Sequence, residues 1–296
     1  MICAGRAIAP KAGMFPKAAA LASFLAASGP LTTVSALQLE YVSHIPLYFP
    51  EIDLTEPSGL AIDPDGSGFW IVSDNAQTVF QLDANGDIAA FIGREDRLRD
   101  LEGVAHDAAQ NRLLMVSERA GKIIAVSLEP AHRVEVVDIA ELPSSTDLTD
   151  ALKDQKNGFE GIAVIPKTGR VLLVKERNPR LLVEIAPSLD RVIRVRPLDD
   201  ILPDDEDVSG LSVDPKRGGV WIVSDVGQSA HFLSDNGNVA SFDLYWMDGN
   251  KKRKLENAEG AALSPDGGSL FVTTDDGRSS VLVQYAIVAS EASSEE

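Results

Sequence analysis

The chain has 296 residues, 44% of them hydrophobic and 24% charged, with a formal net charge of −18. That composition excludes a disordered chain and a multispan membrane protein. The acidic excess argues against nucleic acid and anionic lipid as partners and favours cations.

The first 36 residues carry Arg6, Lys11 and Lys17 and no acid, then an alanine-rich apolar run from Ala18 to Ala27, then Val34-Ser35-Ala36. This order reads as a secretory signal peptide with a small-residue cleavage site. The alternative is an uncleaved N-terminal anchor, for which the run is short, since a span needs about 20 apolar residues. Cleavage after Ala36 takes the net charge from −18 to −21 and removes Cys3, the only cysteine. An exported domain without cysteine is held together by its core alone. The expected organisation is a leader over 1–36, one folded domain over 37–290, and an acidic tail over 291–296.

A strand-like segment, Leu39 to Leu47, comes next. The first complete unit follows it. Gly59 to Ile62 is a short apolar strand, Asp63-Pro64-Asp65-Gly66 a turn, and Phe69 to Val72 a second strand. Thr78 to Leu82 and Ile88 to Ile92 are two more strands, joined by the hairpin signal Asn85-Gly86. Four antiparallel strands in about forty residues make one blade of a β-propeller.

The unit recurs. Five short signatures, Pro57-Ser58-Gly59-Leu60, Leu101-Glu102-Gly103-Val104, Phe159-Glu160-Gly161-Ile162, Val208-Ser209-Gly210-Leu211 and Ala258-Glu259-Gly260-Ala261, begin 44, 58, 49 and 50 residues apart. Fifteen residues after each glycine stands an acid: Asp74, Glu118, Glu176, Asp225 and Asp275. A constant distance inside a variable repeat marks a rigid hairpin with variable loops. Inner turns recur at Asp107 to Asn111, Pro166 to Gly169, Asp214 to Gly218 and Ser264 to Gly267. The second strands recur at Leu113 to Val116, Val171 to Val174, Val220 to Val223 and Leu270 to Thr273. The 58-residue interval is filled by a long connection, Glu141 to Asn157, with room for one helical turn. The basic run Lys251 to Lys254, after the turn Asp248-Gly249-Asn250, reads as a solvated loop.

The fifth unit has three strands, the last from Val281 to Val288. The segment Leu39 to Leu47 is the expected fourth, which closes the ring and covers its edges. The predicted fold is therefore all-β, a five-bladed propeller closed by an N-terminal strand.

In a blade the first strand lines the central channel and the second returns beside it. The residue before each glycine and the acid fifteen residues on thus come to one mouth. Ser58, Glu102, Glu160, Ser209 and Glu259 form an expected inner ring, with Asp74, Glu118, Glu176, Asp225 and Asp275 beside them. Like charges so confined raise each other's pKa or take up a cation. An oxygen-only donor set suits Ca²⁺ better than Mg²⁺, and the lack of histidine and cysteine disfavours zinc or copper. The competing structural reading is that acids ending second strands tie blades together, with Arg119 and Arg177 pairing them locally. Glu102, Glu160 and Glu259 are the expected metal ligands, because glutamate in three blades of five breaks the symmetry.

His106 takes a slot held by Ile62, Val164, Val213 and Leu263 elsewhere and reads as a core or channel-wall residue. His231 falls in the third-strand slot of Phe80; His44 and His132 fall on outer strand or loop. The serines before Asp74, Glu118 and Asp225 have no positioned histidine visible in sequence. No phosphate loop or nucleotide fingerprint occurs.

Glu56-Pro-Ser-Gly-Leu60, Asp100-Leu-Glu-Gly103, Gly158-Phe-Glu-Gly161, Val174-Lys-Glu-Arg-Asn-Pro179, Val208-Ser-Gly210 and Ala258-Glu-Gly260, in that order, resemble the SdiA-regulated family of YjiK/CarP-like exported propellers. The resemblance spans roughly residues 40–288, and the family is more distantly similar to NHL-repeat propellers. It implies a five-bladed propeller with a Ca²⁺ site in the bacterial cell envelope, with one branch linked to calcium response and homeostasis. No enzymatic activity is implied for the family as a whole. The metal site it implies falls on Glu102, Glu160 and Glu259.

Three functions follow as expectations. The first is a non-catalytic, monomeric Ca²⁺-binding protein of the periplasm or the outer face of the cell membrane, or secreted, which meets an envelope protein or small ligand. The second is a Ca²⁺-dependent lactonase or esterase with the metal as Lewis acid at the channel mouth and Glu118 or Glu176 as base. The third is a metal-free interaction scaffold.

Overall fold

A computed structural model describes residues 37–93, 98–129, 131–153, 157–204 and 206–289. The leader over 1–36 and the tail over 291–296 lie outside the described residues. Among those residues no helix is long and apolar enough to cross a membrane.

Five four-stranded antiparallel sheets form the five blades. The four strands of blade one are Pro57–Ile62, Gly68–Ser73, Thr78–Asp83 and Ile88–Gly93. In blades two to four the first strands are Leu101–Asp107, Phe159–Val164 and Gly210–Asp214; the second are Arg112–Ser117, Val171–Lys175 and Gly219–Ser224. The inner turns close through left-handed residues where the sequence places glycine: Gly66, Gly169, Gly218 and Gly267 have φ near +70°, and Asn111 takes the position in blade two.

Blade five is assembled from both ends of the chain. Ala258–Leu263, Ser269–Thr274 and Val281–Ala289 supply three strands. Leu37–Pro46 pairs antiparallel with the third, from Leu37 opposite Ala289 to Pro46 opposite Val281. This is the predicted closure of the ring by an N-terminal strand.

The core lies between blades rather than inside them. Five apolar clusters are each shared by two neighbouring blades. Leu114, Val116 and Ile123 of blade two, for instance, pack with Phe159, Leu173 and Val183 of blade three. A blade alone cannot bury its faces, so the unit of stability is the contact between neighbours.

One local reading changes, and one is borne out. Lys251–Lys254 is a fully exposed strand, not a loop. It pairs with Tyr245–Asp248 in a hairpin outside the blades, with Lys252 Nζ 3.6 Å from the Tyr245 ring centroid and Arg253 Nε 2.7 Å from Asp248 Oδ2. The aromatic and acidic partners on the facing strand offset the repulsion within the run. The long connection before blade three holds a four-residue helix, Thr149–Leu152, after a 3₁₀ turn at Ile139–Glu141.

Candidate functional site

The signature glycines set how close the blades come. A Cβ at Gly103 would lie 2.5 Å from the Glu160 carbonyl oxygen, and one at Gly210 would lie 2.2 Å from that of Glu259. Gly59, Gly161 and Gly260 meet the next blade's first strand in the same way. With no side chain at these points, the five inner strands close to a waist whose void is only about 10 Å³, close to the space of one water.

The residue before the glycine is displaced from the ladder. The first two strands shift register between Pro57 and Gly59, Leu101 and Gly103, Phe159 and Gly161, and Ala258 and Ala261. Such a bulge re-aims a side chain. Glu102, Glu160 and Glu259 thereby line the waist, together with Ser209 of blade four, whose first strand begins only at Gly210.

The five acids fifteen residues on follow directly after the second strands, all half-buried. Their backbones are held: Glu118 N–H donates to the Asp100 carbonyl, Glu176 N–H to Gly158, and Asp275 N–H to Asn257. Asp74 N–H donates to Ser58 Oγ at 3.3 Å. Asp74 and Glu118 come close to the glutamates of the next blade, Glu102 and Glu160, and Glu176 comes close to Glu160 of its own. Two triads therefore have ligand oxygens within 4.8 Å of one another: Asp74, Asp100 and Glu102, and Glu118, Glu160 and Glu176. These acidic clusters can hold a metal ion. Glu259 belongs to neither triad; the charges that act on it are those of Glu102, Asp225, Asp275 and Asp207.

Electrostatics follow from the crowding. Burial, then the charges of Asp74, Glu118 and Asp100, push the Glu102 carboxyl up to about 8, against a hydrogen bond from Ser58. Burial holds Glu160 well above the usual range, aided by Glu102, Glu118, Glu259 and Glu176. Glu259 is raised by burial and then by Glu102. Burial also raises Glu118, Glu176 and Asp225, and lifts Asp275 to about 6. Among the described residues, no lysine, arginine or histidine lies within ion-pair distance of Glu102, Glu160 or Glu259.

The outer acids are partly committed to the scaffold. Arg177 pairs with Glu176 and reaches Asp207 at 3.1 Å. Arg119 pairs with Asp100 at 2.9 Å and stands 4.0 Å from Glu118, whose carboxylate accepts a long 3.4 Å bond from Gly158 N–H. Ser209 Oγ donates to the Ala258 carbonyl at 2.6 Å and so ties blade four to blade five.

Three features escaped the sequence reading. Asp100 and Asp207 enter the acidic mouth from the position three before the glycine. That position reads Glu56, Asp100, Gly158, Asp207 and Asn257 along the repeats, a polar column that was there to be found. Lys175 is fully buried, donates to the Arg177 carbonyl and brings positive charge beside Glu176. A Ser–His pairing does exist on the third strand of blade four: buried His231 bonds Ser241 through Nδ1 at 2.8 Å and both Ser229 and Glu206 through Nε2.

The fold has distant relatives among solved structures. Glutaminyl cyclase of Myxococcus xanthus aligns over 84% of this chain and 97% of its own, at 14% identity and a TM-score of 0.57. A chain of the nidogen/laminin complex aligns over 81% and 85%, at 15% identity and a TM-score of 0.51. At such identities the likeness is one of fold alone. The sequence match is more specific: residues 35–275 match the SdiA-regulated family, and the chain belongs to it.

Proposed function

We propose that this protein is a Ca²⁺-binding, non-catalytic propeller exported to the cell envelope, working as a monomer whose metal-loaded channel mouth meets a partner protein or small ligand in a calcium response. One observation carries the reading: buried Glu160 and half-buried Glu102 and Glu259 converge on a waist, among the described residues no cation pairs with them, and burial holds their carboxyls above the usual range. A bound cation removes that conflict.

The donors are oxygens only. Their spread within 4.8 Å matches a Ca²⁺ shell, with ligands at about 2.3–2.6 Å from the ion, better than the tighter octahedron of Mg²⁺. Glu160 with Glu118 and Glu176, and Glu102 with Asp74 and Asp100, would hold the metal, with Glu259 closing the ring. Glu118 and Glu176, the candidate bases for a hydrolase, are themselves members of a ligand triad, which favours binding over catalysis. The Arg6, Lys11 and Lys17 leader with its apolar run supports export.

Titration calorimetry with Ca²⁺ tests the proposal. Wild-type protein should bind saturably, and Glu102→Gln/Glu160→Gln should bind at least about tenfold more weakly. Equal binding by the two proteins would sink it.

A further inference from the structure

The acidic mouth is one end of the channel; the other end has different chemistry. Below the waist the channel widens into a cavity of about 420 Å³, within the size range of small-molecule sites. Two rings line it. One is Ala61, Ala105, Ala163 and Ala262 with Ser212 in blade four, and the other is Ile62, Val164, Val213 and Leu263 with His106 in blade two. The lining is thus mostly aliphatic, with four polar members: Ser212, His106, Asp107 and Ser264. Ser212 Oγ already accepts the Leu263 N–H at 2.9 Å. Asp107 pairs with Arg112 and Ser264 Oγ donates to Asp266 Oδ1 at 2.6 Å, which leaves His106.

His106 is set by a neighbour from blade one. Its Nδ1 faces Asp63 Oδ1 at 3.3 Å. Asp63 is buried and fixed, accepting from Trp70 Nε1 at 2.7 Å and Gln81 Nε2 at 3.1 Å. The equivalent acids of blades two and four are neutralised by arginines, Asp107 by Arg112 and Asp214 by Arg217. Asp63 has no arginine partner among the described residues and faces His106 instead. A carboxylate charge 3.3 Å from Nδ1, even without a hydrogen bond, favours the tautomer with its proton on that nitrogen and leaves Nε2 as a hydrogen-bond acceptor. Nδ1 makes no hydrogen bond at that distance, and Nε2 has no hydrogen-bond partner among the described residues, although the ring lines the cavity.

We infer that this lower cavity is a binding site for a small, uncharged, largely apolar molecule that carries one hydrogen-bond donor, received by His106 Nε2. Aliphatic walls make burial of apolar surface the driving force. They disfavour a charged ligand, which would lose its hydration without compensation, and Asp63 behind His106 repels an anion. One oriented acceptor in an apolar cavity fixes the pose. The inference stands apart from the metal reading, since it uses none of the mouth acids.

The test uses N-phenyl-1-naphthylamine, an uncharged fluorophore with a single N–H, and its N-methylated analogue, which lacks the donor. The amine should bind wild type saturably, one per chain, with blue-shifted emission, in chelator as well as in Ca²⁺. His106→Leu, which copies the residue of blade five, should bind it about fivefold more weakly, as expected for one lost hydrogen bond. The N-methyl analogue should bind wild type and His106→Leu alike. Ala108→Trp, an exposed position on the cavity rim, should weaken both probes at least tenfold and serves as a blocking variant outside the core. Non-saturable uptake, indifference to Ala108→Trp, or equal amine affinity in wild type and His106→Leu would overturn the inference.

Discussion

Glu102 shows the tension that the mouth imposes on a single residue. Its carboxyl is lifted from 4.5 to about 8 by burial and by Asp74, Glu118 and Asp100, so the folded state holds a proton that the unfolded chain releases near 4.5. The folded chain then binds more protons than the unfolded one between those pH values, and stability falls as pH rises. Glu160 and Glu259 act in the same direction. In chelator, the melting temperature should drop from pH 5 to pH 8. Each tenfold rise in proton affinity is worth about 1.4 kcal/mol, so the ring's contribution is on the order of a few kcal/mol. Glu102→Gln should flatten the drop, and Ca²⁺ should raise the melting temperature more at pH 8 than at pH 5. Thermal melts across that range decide; a flat or rising profile in chelator contradicts the sign. The identity of these glutamates was legible from the signature alone. Their partners were not, because which acid of one blade meets which glutamate of the next depends on blade twist. Asp100 and Asp207 needed the backbone turn before each first strand to bring them in.

At the scale of the element, the bulged signature is the device that joins scaffold and site. Its glycine lets two inner strands touch, and its preceding residue is turned out of the ladder toward the channel. A methyl group at Gly103 meets backbone, the Glu160 carbonyl and the Ile162 nitrogen, which cannot swing aside. Gly103→Ala should therefore cost about 1–3 kcal/mol through overpacking and also weaken Ca²⁺ binding, because it displaces Glu160. Gly249→Ala is the contrast: nothing lies within 4 Å and only its φ of +60° is strained, so it should cost about 1–2 kcal/mol and leave Ca²⁺ binding unchanged. Urea melts and calorimetry on the pair separate the two effects; unchanged metal affinity in Gly103→Ala would uncouple glycine from site. The strands themselves were legible because turn residues and apolar runs alternate at the scale of single strands. The exposed strand Lys251–Lys254 was not, since four basic residues carry no strand pattern; it forms because Tyr245 and Asp248 lie opposite. His231 was placed correctly on a third strand, but Ser241 reaches it only through cross-strand register and Glu206 only through a loop.

For the whole molecule, the decisive contact is the one that turns five repeats into a closed ring. Blade five owns three strands from the C-terminal end and borrows the fourth, Leu37–Pro46, from the N-terminal end. Without that strand, the outer edge of Val281–Ala289 is left open, and Leu37, Leu39 and Tyr41 leave the cluster shared by blades four and five. Because each core is shared between neighbours, the loss should spread around the ring rather than fray one end. A chain starting at Leu47 should lose its cooperative urea transition or shift it to markedly lower denaturant. It should also lose Ca²⁺ binding, since Glu259 and Asp275 belong to the blade that opens. Adding a peptide of residues 37–46 should restore part of the stability by strand addition at the free edge. A shortened chain with the full-length midpoint would mean that the ring closes through packing of the inner strands alone, where Gly260 meets Leu60, and that the borrowed strand only shields an edge.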